Sequence, residues 1–266
     1  MSEIEHMERS HDELQYLDNV LTDVGTKKDT RAGLLKKAAI GAVGVGALGQ
    51  AGSALAASST DSVATITTDA VTAEALAVTV LTAAIKASPG TKAAPFIPVL
   101  KAANQAEYDH YTTLAGLGAK PLTTKFWIPN AALGPGNVNL FATLEVAETL
   151  FINAYLIAIT AFAKLKKDSL ARYAGEILGV EAEHRALARY ANNVVPGQTT
   201  LTRTNVPNNK GFETYTIKTI GGIVAALEKA GFGFGKQGAT PGQFVDFPGN
   251  PSKTGTGFYV IAPRPA

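Results

Sequence analysis

The stretch VNLFATLEVAETLFINAYLIAITAFAKL, residues 138–165, constrains the fold more than any other part of the chain. At the helical period it is apolar nearly all round, so a helix here has no face to offer water and must lie at the centre of its domain. Three further helical runs accompany it. Residues 69–88, DAVTAEALAVTVLTAAIKAS, stop at Pro89-Gly90; residues 95–117 read PFIPVLKAANQAEYDHYTTLAGL; residues 169–192 follow a charged break at Lys167-Asp168. Between the second and third runs, GAKPLTTKFWIPNAALGPGNVN is rich in Pro, Gly and Asn and has no periodicity, which predicts a long connection. The expected class is all-α, with four helices joined by a short turn, a long crossover and a second short turn.

An apolar central helix makes its one inward carboxylate, Glu148, conspicuous. It shares a direction with Phe141, Leu144, Tyr155 and Ile159. The same pattern recurs on the other helices. Glu74 lies on the face of Val78, Leu81 and Ile85, and Glu107 lies with Leu100, Ala103 and Leu114. On the fourth run Glu181 points with Ile177, Leu178 and Ala188, whereas Glu183 faces away with Arg172 and Glu176. Of the four His in the chain, His6 and His11 fall in the leader. The other two, His110 and His184, each stand three positions after one of these inward Glu residues, in EYDH and EAEH, and so share its face. Glu107 follows Glu74 by 33 positions and Glu181 follows Glu148 by 33, so the two helical hairpins look like copies of one unit. That equality selects Glu148 over Glu145, which reads either as an extra ligand or as an outer charge. Carboxylates are almost never buried unpaired, so four of them on core faces ask for a counter-charge, and a metal ion is one candidate.

Single Glu74 and Glu148, combined with Glu107-x-x-His110 and Glu181-x-x-His184, resemble the ligand set of the ferritin-like di-iron carboxylate proteins. The resemblance runs over roughly residues 65–193 and is similar in style to the bacterial exported ferritin-like proteins that include desiccation-related proteins. It implies a four-helix bundle whose core holds two metal ions, with Glu107 and Glu181 bridging, Glu74 and Glu148 terminal, and one His on each ion. Oxygen-rich ligands with one imidazole apiece suit iron, and manganese accepts the same set. Two divalent ions would bring four carboxylates close to neutrality. The activity so implied is an oxidoreductase that oxidises Fe(II) or reduces O2 or peroxide. The alternative is a non-enzymatic secreted bundle that protects the cell envelope during stress or drying, its metal site structural or vestigial.

The flanks read differently. Residues 1–57 begin polar and acidic, then give TRAGLLKKAA, a short apolar run and Ala54-Leu55-Ala56, an arrangement expected of an export signal. TRAGLLKKAA resembles a twin-arginine signal, with Ala32 where the second arginine stands in that pattern. The expected division is therefore a signal and leader at 1–57, the helical domain at 58–196 and an extension at 197–266, with the mature protein in the periplasm, envelope or medium and without a membrane span. In the extension, 212–230 predicts a weak helix interrupted by Gly221-Gly222, GFYVIAP from Gly257 predicts a short strand, and the rest should be irregular. GFGFGKQG at 231–238 imitates a phosphate-binding loop only superficially, since no Ser or Thr follows its Lys. The chain has no Cys, which excludes disulfides, thiol catalysis and iron–sulfur clusters, and its net charge of +2 gives no footprint for nucleic acid. Expected partners are metal ions and O2 or peroxide; Tyr111 and Tyr155 read as core packing ahead of a hydrogen bond or an electron relay near the ligands.

Overall fold

The computed structural model describes residues 61–133, 139–195 and 206–258; the export signal read at 1–57, and GFYVIAP past Phe258, lie outside them. Helix α1 spans Val63–Ala87. It starts upstream of the expected run because Ser62 caps it, the side chain accepting from the Thr65 amide at 3.1 Å. It stops where Pro89 and Gly90 predict, Gly90 taking φ +76, a left-handed value natural to glycine after a helix end. A 3-10 turn, Ala94–Phe96, leads into α2, Ile97–Gly116, whose Pro98 sits in the first turn where a missing N–H costs nothing. A short helix, α3 (Asn130–Leu133), precedes the two longest, α4 (Leu140–Lys164) and α5 (Asp168–Val194). The α4–α5 turn is tight, with Lys166 at φ 55.

Consecutive long helices pair, α1 with α2 and α4 with α5, while α4 also meets α1 and α5 meets α2. One hydrophobic core runs through all of them, with Leu76, Leu81, Leu100, Leu150, Phe151 and Ile177 buried in it. By length and composition α1 and α4 would each reach across a bilayer, yet most of that apolar surface is buried inside the protein. The described residues are thus mostly helical, as expected, but they also form a small sheet.

That sheet corrects two expectations. Strand β1, Lys125–Pro129, lies within the segment read as an unstructured connection. It is the middle of three antiparallel strands, flanked by β2 (Gly233–Phe234) and β3 (Gly242–Asp246) from the extension. Phe126 pairs with both Phe234 and Val245, and Trp127 with Gly233 and Phe244. Phe126 and Ile128 alternate inward and are fully buried, which ties the sheet to the helices. The GFGFGKQG stretch therefore supplies an edge strand.

The helix expected over 212–230 is shorter, α6 at Ile220–Lys229. Gly221-Gly222 open it: Thr219 caps the helix by accepting from the Gly222 amide at 3.2 Å, and a Cβ on Gly222 would stand 2.7 Å from Ile217. Upstream the chain has no regular secondary structure and is held by Asn153 of α4. The Asn153 amide donates to the Ile217 carbonyl at 2.9 Å, and its oxygen accepts from the Thr216 and Ile217 amides at 3.2 and 3.1 Å.

Candidate metal centre

All six residues singled out by spacing meet in the interior between the four long helices. Glu74 comes from α1, Glu107 and His110 from α2, Glu148 from α4, Glu181 and His184 from α5. Their donor atoms form two groups, Glu74, Glu107, His110 and Glu181 in one and Glu107, Glu148, Glu181 and His184 in the other, with atoms inside each group within 4.8 Å of one another. Glu107 and Glu181 belong to both. The helical period explains the convergence: i,i+3 neighbours stack on one face, so each Glu-x-x-His motif delivers two donors to the same spot. Glu107 and Glu181 are wholly inaccessible to solvent, and Glu74 and Glu148 nearly so, at 1% and 5% exposure.

The contacts of the two imidazoles with the carboxylates are longer than ordinary hydrogen bonds, with one exception. His110 Nδ1 stands 3.6 Å from Glu74, 3.4 Å from Glu107 and 3.4 Å from Glu181. His184 Nδ1 donates to Glu107 at 2.8 Å but is 3.5 Å from Glu181 and 4.0 Å from Glu148. Both oxygens of Glu181, one each of Glu74, Glu107 and Glu148, and His110 Nδ1 are buried without a hydrogen-bond partner. Unpaired buried polar atoms are costly, and here several aim at one place. Donors around a divalent ion, each about 2.1 Å from it, stand roughly 3 Å apart in octahedral geometry, so separations of this size fit a cation between them.

Electrostatics follows from the same crowding. Burial, reinforced by Glu181 and Glu107, raises the Glu74 and Glu148 carboxyls well above the usual range. Burial acts on Glu107 in the same sense, but the two imidazoles outweigh it and hold that carboxyl well below. Burial disfavours charge on the imidazoles too, yet the carboxylates win, lifting His110 well above its ordinary value and His184 to about 10.

Tyr155, read as packing, does more: its hydroxyl donates to Glu74 Oε1. Its presence on the Glu148 face was visible in sequence, but its reach across to α1 was not. Tyr111 does pack, stacking against Tyr108 and meeting the Phe247 ring at 4.8 Å. Glu145 stands outside both groups and pairs with Arg189 at 2.9 Å, an ion pair that spacing alone did not reveal. A cavity of about 30 Å³ touches Glu148 and His184, and apolar side chains such as Leu81, Leu100, Phe141 and Leu144 wall the rest. Comparisons with models of known protein families, with curated proteins and with solved structures find no match.

Proposed function

We propose that the chain is an exported ferritin-like protein, its four long helices forming a bundle that binds two iron ions, or manganese, between the six converging residues. The observation that carries this reading is the pair of four-donor groups sharing Glu107 and Glu181, since shared carboxylates are what two neighbouring cations require. In this reading Glu107 and Glu181 would serve both ions, Glu74 and His110 would complete the donors of one, and Glu148 and His184 those of the other. When bound, redox-active ions of this kind would supply the electrons that reduce O2 or peroxide as Fe(II) is oxidised. The chain's own part is to hold the donors. Tyr155 orients Glu74 through its hydroxyl, and the apolar core keeps bulk water away, which strengthens charge interactions. The cavity beside Glu148 and His184 gives a small neutral oxidant an apolar approach.

One observation favours the second reading, a non-enzymatic protective bundle. His184 and Glu107 already share a hydrogen bond at 2.8 Å, and the carboxylates around both imidazoles favour their protonated form, which would partly compensate the cluster as it stands. Metal content separates the two. Chain loaded anaerobically with Fe(II) and desalted should retain about two ions, and Glu107→Ala/Glu181→Ala far fewer. Consumption of O2 or peroxide by the loaded wild type would then establish the activity, whereas wild type that retains essentially no metal leaves the protective bundle.

A further inference from the structure

The ring of Tyr155 lines a larger cavity, of about 50 Å³, framed by α1, α4 and α6. It exists because facing positions on α1 and α4 carry small side chains, Ala70, Ala73, Ala154 and Ala158, and because α6 roofs the gap with Ile223 and Leu227 rather than filling it. The walls are almost wholly apolar. The polar groups among them are committed elsewhere, save one. Tyr155 donates to Glu74; the Thr72 hydroxyl donates to the Thr68 carbonyl at 2.7 Å and accepts from the Leu122 amide at 2.9 Å. Asp69 is buried, 8% exposed, and its Oδ2 has no hydrogen-bond partner.

A buried acceptor left unpaired costs free energy that a donor from a ligand would recover. A water needs roughly 10–15 Å³ of such space, so the cavity takes about four water-sized groups, the enclosed share of a single ring or short chain whose remainder reaches its open side. We propose that this cavity binds a small, largely apolar molecule carrying one neutral hydrogen-bonding head group, anchored by Asp69. Burial, with Asp61 beside it, pushes the Asp69 carboxyl to about 7, which suits a neutral head group better than a cation. The site needs no bound metal, and stands or falls apart from the dinuclear reading. If both hold, Tyr155 touches the ligand and donates to Glu74.

The test is calorimetric titration of the full-length chain with phenol and with toluene, two probes of one size that differ by a hydroxyl. Phenol should bind at one per chain and more tightly than toluene. Asp69→Leu should weaken phenol about tenfold, the worth of one good hydrogen bond, and leave toluene within twofold. Ala158→Phe, which fills the space, should abolish both; Ala154→Leu, a smaller filling, runs beside it, each judged only at wild-type helix content by circular dichroism. No binding of either probe to wild type, phenol binding that survives both fillings, or phenol affinity indifferent to Asp69→Leu would each overturn the proposal.

Discussion

Glu148 and Asn153 sit on the same helix, both buried, at 5% and 2% exposure, and have opposite surroundings. Asn153 spends its amide on the extension, donating once and accepting twice against residues 216–217, and so fixes the extension to the helices. Glu148 keeps an oxygen with no partner, in a group with two more carboxylates, Glu107 and Glu181, whose donor atoms lie within 4.8 Å. Where a polar group is buried to hold the chain together, folding satisfies it; where it is buried and left unpaired, something other than folding accounts for it. The extension and the carboxylate cluster are these two cases in one core.

Exchanging the two failures is the sharpest way to break that contrast. Glu181→Gln keeps the shape and removes one shared carboxylate, so retained Fe(II) should fall to a tenth of wild type or less by elemental analysis. Unfolding of its metal-free form should stay level, because the carboxylate oxygens of Glu181 make no hydrogen bond in the folded protein. Asn153→Ala should do the reverse. It strands two amides and a carbonyl, at a cost of about 3 kcal/mol in chemical denaturation, while metal content stays at the wild-type ratio. Loss of stability in the first variant, or of metal in the second, would make the cluster and the clamp one structural system.

Tyr155 stands between the cases, because its hydroxyl is a satisfied donor to an otherwise underpaired carboxylate. Tyr155→Phe keeps the ring and frees Glu74 to rotate, so metal affinity should weaken about tenfold by chelator competition. An unchanged affinity would mean that packing alone orients Glu74.

The contrast also explains what was legible in the sequence. Helix faces follow from a single period, so the inward turn of Glu74, Glu107, Glu148 and Glu181 could be read from their apolar neighbours, and i,i+3 spacing placed His110 and His184 beside two of them. The clamp and the sheet depend on partners far away in the chain. Lys125–Pro129 has only Phe126 and Ile128 alternating inward, too short a pattern to stand out, and its partner strands come more than a hundred residues later from glycine-rich sequence. Nothing local marks Asn153 as a clamp. Likewise Glu145 lies close in angle to Glu148, and only the position of Arg189 on α5 draws it away.

Asp69 offers the finest gradation, since it is buried and half unpaired yet outside the cluster. Its carboxyl rises from the usual 3.8 to about 7, through burial first and then Asp61, whose own Oδ2 accepts from the Ile220 amide at 3.0 Å. The folded protein therefore keeps a proton that the unfolded chain has released. Its contribution to stability is fully present below pH 3.8, is lost as pH rises through the window up to about 7, and is gone above it. Asp69→Asn cannot ionise and suffers no such loss. Allowing for residual hydration of the carboxylate, the variant should gain on wild type from nothing near pH 4 to about 1 kcal/mol at pH 8, read by urea denaturation across that range. A difference that stays flat with pH would mean that water or a neighbour already serves Asp69 in the folded state, which would class it with Asn153 and not with Glu148.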